Sequence, residues 1–193
     1  MCILVRNAGR IKELIITAGG ENVAPIPIED AIKSVLPLVG GVMLIGDQRK
    51  YLLIMMAVRT ELDPDSLMPT DRLQAPGKDF LKECCGLPNA ERLSDVYESG
   101  LPPSGTFDAT ARPVLKQSVR EAVQRAIDTA NERAVSRAQK VQKFVMVARD
   151  FSIPGGELGP TLKLRRPVVL KIYKELIEYV YAEPPPAGAP SAD

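Results

Sequence analysis

Apolar positions along the chain fall into two kinds of pattern. Val39–Ile45 and Tyr51–Val58 are nearly unbroken apolar runs, separated by Gly46-Asp47-Gln48-Arg49-Lys50, and they predict two paired strands. Val141–Val147 predicts a further strand. Leu115, Val119, Ala122, Val123, Ala126 and Ala130 recur instead at helical spacing and predict one long helix. Val169, Ile172, Tyr173, Leu176 and Val180 predict one amphipathic helix that ends at Pro184-Pro185-Pro186. Pro25 and Pro27 lead into Ile28–Leu36, where proline and acids in the first turn suit a helix start. Cys2–Val5 and Ile11–Thr17 are β-prone and predict a hairpin across Asn7-Ala8-Gly9, with Gly19-Gly20 breaking the second strand. Together these elements predict an α+β fold, in which a hairpin precedes a small mixed sheet of about three strands packed with helices.

Charge divides the middle of the chain. Glu61–Gly100 carries nine acids and four bases, and reads as loops around one short helix near Asp79–Cys85. Ala111–Asp150 carries nine bases and four acids. Two readings of this asymmetry stand equally, two surfaces that face each other or two solvated faces. Leu101-Pro102-Pro103-Ser104-Gly105 reads as a flexible connection between them. Pro154–Thr161 is a Gly- and Pro-rich turn that runs into the basic Lys163-Leu164-Arg165-Arg166, and Phe151–Lys163 is expected to be an exposed, mobile loop.

Composition narrows the chemistry. The 193 residues hold 25 Lys and Arg against 24 Asp and Glu, too balanced for a strongly basic nucleic-acid binder. Histidine is absent, which removes Ser–His, Cys–His and His-ligated metal mechanisms from this chain. Cys2, Cys84 and Cys85 form neither a disulfide framework nor a zinc site, and imply a reduced, intracellular protein. Cys84-Cys85 is read as a pair of small buried apolar side chains, with a redox or acylation site as the other possibility. No apolar run reaches the roughly 20 residues needed to span a bilayer, and no secretory signal is visible.

Three clusters combine glycine with charge: Gly9-Arg10-Ile11-Lys12-Glu13, Gly19-Gly20-Glu21-Asn22 and Gly159-Pro160-Thr161-Leu162-Lys163. Taken singly, each has an ordinary reading as cross-strand charge pairing, a strand-to-loop turn or a solvated basic face. Taken together, they resemble a known family. GRIKELIITAGGENVAPIPIE (Gly9–Glu29) resembles the eighth core motif of the adenylate-forming acyl-CoA synthetase superfamily, and FSIPGGELGPTLKLRR (Phe151–Arg166) its tenth, the catalytic-lysine motif. LIGDQRKYL (Leu44–Leu52), LDPDS (Leu62–Ser66) and VQKFVMVARDFSI (Val141–Ile153) are similar to the bubblegum group of long-chain and very-long-chain fatty acyl-CoA synthetases.

The resemblance implies a C-terminal lid domain at 10–182, with a loop-rich insertion at about 61–110. Residues 1–9 would be a remnant of the hinge-side strand, and 183–193 a disordered tail. It implies a ligase that uses ATP, Mg and CoA to convert a fatty acid to acyl-CoA, with AMP and pyrophosphate released. Lys163 matches the lysine of the adenylation step, which also contacts ATP or AMP, and Arg10 matches the arginine on the nucleotide ribose. Lys12 falls at the hinge, so the first hairpin would be the hinge hairpin. Gly19, Gly20 and Glu21 match the loop that faces the active site in the CoA step. No metal site is expected within the chain itself.

The chain begins almost at the hinge. The family's large N-terminal adenylation domain, its phosphate loop and its fatty-acid tunnel have no counterpart here, and Ala8 stands where the family usually has Thr. The expected partners are therefore that large domain, in cis or in trans, together with fatty acid and CoA, and no nucleic acid. The chain alone is expected to be inactive. Two other readings are a non-catalytic lid-fold binding module and a truncated gene product. The expected location is cytoplasmic, compatible with a peripheral position at a membrane such as the endoplasmic reticulum.

Overall fold

A computed structural model describes residues 14–103 and 105–183. In chain order the elements are β1 (Ile15–Ile16), β2 (Asn22–Val23), α1 (Pro25–Val35), β3 (Val39–Ile45), β4 (Leu52–Val58), β5 (Thr60–Leu62), β6 (Pro69–Leu73), α2 (Ala75–Cys85), α3 (Leu93–Val96), β7 (Tyr97–Ser99), β8 (Val114–Leu115), α4 (Gln117–Asn131), β9 (Val141–Val147), α5 (Arg166–Ile172) and α6 (Lys174–Ala182). The α+β architecture expected from the sequence is present.

The central sheet has the order β3-β4-β9. β3 and β4 are antiparallel, with Met43 opposite Met55 and Leu44 opposite Ile54. β4 and β9 run parallel, with Ile54 opposite Phe144 and Met55 opposite Val145. A parallel partner needs a long crossover, and everything from β5 to α4 supplies it. Helices cover both faces. Val42, Leu44, Leu52, Ile54, Met56 and Met146 share a core with Ile32 of α1, Leu81 of α2 and Val119 and Val123 of α4. Met43, Ile45, Leu53, Met55, Ala57 and Val147 share a second core with Val169 of α5 and Leu176, Ile177 and Val180 of α6. All seven residues of β4 are buried, which is why its sequence is continuously apolar rather than alternating.

Several elements depart from expectation. The first hairpin's outer strand lies outside the described residues. Ile15–Ile16 pairs instead with Asn22–Val23, closing a hairpin over the Gly19-Gly20 turn. The acidic stretch holds more than loops around one helix: β5 and β6 form a hairpin, and α3 leads into β7. Leu101, in the expected connection, packs against the first core. The final helix is two segments that meet at Tyr173, whose φ of −98° and ψ of 19° interrupt helical geometry. Tyr173 is fully buried; packing the ring between Phe107 and Phe151 accompanies the break. The acidic and basic stretches meet through the core that holds Leu81, Cys85, Val119 and Val123. Among the described residues, Asp71–Arg92 and Glu91–Lys78 are ion pairs internal to the acidic stretch.

Candidate functional site

β9 delivers the chain to Arg149, Asp150 and Phe151, and a return loop brings it back to α5. The loop is not the freely exposed segment expected from its glycines and prolines. Phe151, Ser152 and Glu157 are buried. Phe151 lies under β3, where a Cβ on Gly41 would enter its ring. The apolar ring and the edge strand thus seat the start of the loop. Glu157 is fully buried, and its carboxylate accepts a hydrogen bond from Arg149 Nη2 at 2.8 Å and from the Ser152 amide at 3.3 Å. Arg149 in turn lies over the Phe107 ring, with Cζ 3.8 Å from its centroid.

Beyond Glu157 the chain narrows to a tight turn. Leu158 bridges Leu164, the Gly159 amide donates to the Lys163 carbonyl at 2.8 Å, and the Arg165 amide donates to the Glu157 carbonyl at 2.8 Å. Leu162 sits at the tip with a φ of 59° and 70% exposure. Left-handed geometry in a leucine is uncommon and costs about 1–2 kcal/mol; the flanking ladder bonds hold it there. Lys163 follows directly and is exposed, with no carboxylate paired to it among the described residues. Sequence reasoning therefore located the exposed tip and missed the buried base that carries it.

The far side of the turn has its own anchor. Arg166, the first residue of α5, makes two hydrogen bonds to Glu29 of α1, at 2.8 and 2.7 Å. Glu29 Oε1 also accepts the Leu44 amide at 2.6 Å. β3 is an edge strand, so this carboxylate satisfies a donor that the sheet leaves open.

Asp150 joins the loop to the sheet. Its Oδ1 accepts from the Phe151 amide at 2.8 Å and the Gly41 amide at 3.2 Å. A Cβ on Gly40 would lie 2.8 Å from Oδ2. Burial pushes this carboxyl up to about 6, against the opposing pull of main-chain donors at Phe151, Thr60 and Gly41 and of the nearby Arg59. The folded chain therefore keeps a proton between about pH 4 and 6 that the unfolded chain has lost, and this contribution to stability falls as pH rises through that window. We expect the stability difference between the native chain and Asp150→Asn to shift by about 2 kcal/mol between pH 4 and 7.5, the native chain gaining at the acid end. Urea unfolding of both at the two pH values measures it; a difference that stays constant refutes the assignment.

The Gly19–Glu21 segment is the turn between β1 and β2. Gly20 has a φ of 79°, which a glycine adopts without strain. The Thr17 carbonyl accepts from the Gly20 amide at 2.8 Å, and the Thr17 hydroxyl accepts from the Glu21 amide at 3.2 Å. The β3–β4 turn docks onto it, with the Gln48 amide donating to the Ile16 carbonyl at 2.8 Å and the Ala18 amide to the Arg49 carbonyl at 3.0 Å. The Glu21 carboxylate accepts from the Ser136 hydroxyl at 3.2 Å, away from the lysine turn. Among the described residues no hydrogen bond or ion pair joins Gly19, Gly20 or Glu21 to Lys163. Arg10 and Lys12 lie outside the described residues. A groove of about 740 Å³ between β3 and α5–α6 is lined by Leu14, Ile45, Arg49, Leu164, Arg166 and Leu170, and so runs from the start of β1 toward the lysine turn. The cysteine pair divides: Cys84 is exposed and Cys85 is buried, and burial, with the neighbouring Cys84, pushes the Cys85 thiol up to about 11. The two do not form the buried apolar pair expected, because adjacent residues on a helix cannot share one face.

Residues 12–74 match the family model of the AMP-binding enzyme C-terminal domain. Over those residues the chain is similar to AMP-binding enzyme C-terminal domains. It is 42% identical over 175 residues to a long-chain-fatty-acid–CoA ligase (ACSBG2) of Gallus gallus, covering 91% of this chain and 21% of that ligase. It is 42% identical over 183 residues to the long-chain-fatty-acid–CoA ligase heimdall of Drosophila melanogaster, covering 90% of this chain and 26% of that ligase. The chain spans about a fifth to a quarter of the length of these curated relatives. Its fold is similar to the adenylation domain of a carboxylate reductase from Mycobacterium chelonae, with a TM-score of 0.56, 20% identity, and coverage of 91% of this chain and 20% of that one. A second similar fold is the A domain of a carboxylic acid reductase from Segniliparus rugosus, solved with AMP and a co-purified carboxylic acid. There the TM-score is 0.55 at 21% identity, over 90% of this chain and 20% of that one. The family model ends at Gln74, so the lysine turn enters through the longer alignments with the ligases. No helix among the described residues is long and apolar enough to cross a membrane.

Proposed function

We propose that this chain is the lid of a long-chain fatty acid–CoA ligase, completed by a large adenylation domain in cis or in trans. The observation that carries the proposal is Lys163, an exposed cation at the tip of a rigidly based turn, in a chain 42% identical to such ligases. In the first step a fatty carboxylate oxygen attacks the α-phosphorus of ATP, giving acyl-AMP and expelling pyrophosphate. In the second the CoA sulfur attacks the acyl carbon, AMP leaves with the electron pair of the acyl C–O bond, and the thiol proton is released. Two anions meet in the first step, and a positioned ammonium lowers their repulsion and stabilises charge on the phosphoryl oxygens. Lys163 fills that role. Arg10 is assigned to the nucleotide ribose and Lys12 to the hinge about which the lid turns. Gly19, Gly20 and Glu21 are assigned to the CoA step, and their place on a different turn from Lys163 suits a lid that presents two faces. Mg²⁺ travels with ATP as substrate, and its protein ligands are assigned to the large domain.

The lid, at 10–182 with its insertion at about 61–110, would be covered by that partner along exposed apolar residues beside the turn. Leu162 and Leu170, with Leu14 near the hinge, are exposed there. A cytoplasmic location, peripheral to a membrane such as the endoplasmic reticulum, suits a fatty substrate that partitions into lipid.

The test is acyl-CoA formation from a long-chain fatty acid, ATP, Mg²⁺ and CoA. The chain is assayed alone, then mixed with or fused to the large domain of a related ligase. Activity confined to the combined forms and lost with Lys163→Ala supports the lid. A well-folded chain that yields no turnover in any form points instead to a binding module that has kept the fold.

A further inference from the structure

The base of the lysine turn is built more expensively than an inert loop requires. Glu157 takes a charged carboxylate to zero exposure, and its guanidinium partner is 14% exposed. A buried ion pair is weak as a source of stability, because desolvation offsets most of the attraction. What it does well is fix geometry. The Glu157 side chain is held by Arg149 and by the Ser152 amide. Its own carbonyl accepts the Arg165 amide across the turn. Gly155 leaves no room for a Cβ between Glu157, Arg149 and Ser152. Arg149 is itself oriented by the Phe107 ring, which belongs to the connection after β7. Arg166, held by Glu29, fixes the other end. The turn that carries Lys163 is therefore clamped between two buried carboxylates from different parts of the fold.

We propose that Glu157 is the positioning residue for Lys163, acting through Arg149 to fix the turn that aims the ammonium. This rests on the adenylation reading of Lys163. Misplacement of a catalytic group by about 1 Å reduces rate by on the order of 100-fold, so a clamp at this distance from the tip has a kinetic consequence without touching substrate.

The test uses Glu157→Gln, which keeps the shape and an acceptor for the Ser152 amide but loses the charge. It is read in the chain fused to the large domain of a related ligase. Adenylation, followed by ATP–pyrophosphate exchange, is expected to lose on the order of 10- to 100-fold in kcat, with KM for ATP nearly unchanged. Thioester formation from preformed acyl-adenylate is expected to stay at its native rate, since Lys163 serves the first step. In the unfused chain, amide exchange at Gly159, Leu162 and Arg165 is expected to rise about tenfold or more while that of Leu53–Ala57 is unchanged. Phe107→Leu, a change at a half-exposed ring, should move the same readouts in the same direction by less, and it serves should Glu157→Gln fail to fold. Equal losses in both half-reactions, or unchanged exchange at the turn, overturn the proposal. Lys163→Ala runs in parallel. If it leaves adenylation intact, the reading of Lys163 fails, and the exchange measurement alone decides whether Glu157 fixes the turn. If Lys163→Ala abolishes adenylation and Glu157→Gln changes neither rate nor exchange, the positioning role fails and the lysine's role stands.

Discussion

Lys163→Ala is expected to slow adenylation by on the order of 100- to 1,000-fold when the chain is joined to a large adenylation domain, the range seen when one preorganised oxyanion donor is removed. The same substitution should leave folding stability unchanged within about 0.5 kcal/mol. The two halves of this expectation have one structural cause. Lys163 is exposed, its backbone carbonyl is already satisfied by the Gly159 amide, and no carboxylate partners its side chain among the described residues. Nothing in the fold is lost with the ammonium, so whatever is lost belongs to a reaction. Lys163→Arg should recover only part of the rate, because a planar guanidinium is wider and more weakly hydrated than a compact ammonium. Pyrophosphate exchange and thermal unfolding of the same preparations measure both halves. A parallel loss of rate and stability would show that the lysine is a structural residue, and an unchanged rate would remove it from the chemistry.

The parts of this fold that could be read from sequence are those whose burial is uniform along an element. β3 and β4 were expected at nearly their observed bounds, because strands covered on both faces are continuously apolar. α4 was legible for the complementary reason: Val119, Ala122, Val123 and Ala126 form one buried stripe on an otherwise polar helix. The β5–β6 hairpin was not legible. Its strands, Thr60–Leu62 and Pro69–Leu73, are short and half polar, and the turn between them is set by Asp63, whose carboxylate accepts from the Asp65 and Ser66 amides and the Ser66 hydroxyl. Such local side-chain capping leaves no periodic trace.

The site divides in the same way. Lys163 stood out through a motif, whereas its supports did not, because each depends on a partner that spacing cannot supply. Arg149 and Glu157 flank the buried Phe151 and Ser152, which the Gly- and Pro-rich composition assigned to a solvated loop. Glu29 meets Arg166 across 137 positions. One signal was available. Pro25, Glu29 and Ile32 all lie on the buried side of α1, at spacings that share a helix face. An acid on such a face implies a buried partner, although it does not say which.

That partner carries the second large effect. Arg166→Met is expected to destabilise the chain by about 3–5 kcal/mol, the loss typical when one member of a buried ion pair is removed. Against a total stability of roughly 5–15 kcal/mol for a domain of this kind, it is the change most able to unfold it. The size follows from what remains behind. Glu29 has a side-chain exposure of 7% and is held in place by the Leu44 amide, so its charge cannot move to water without opening the edge of β3. Methionine matches the length of the arginine stem, which separates loss of charge from loss of packing. Adding Glu29→Gln to Arg166→Met should recover at least about 2 kcal/mol, because the neutral amide still accepts from Leu44 and no longer buries an uncompensated charge. Equilibrium unfolding of the two single variants and the double variant measures the coupling directly. A loss below about 1 kcal/mol for Arg166→Met, or a double variant no more stable than that single one, would show that Glu29 reaches solvent in the native chain. The anchor on that side of the lysine turn would then be the packing of Val169 and Tyr173 rather than charge.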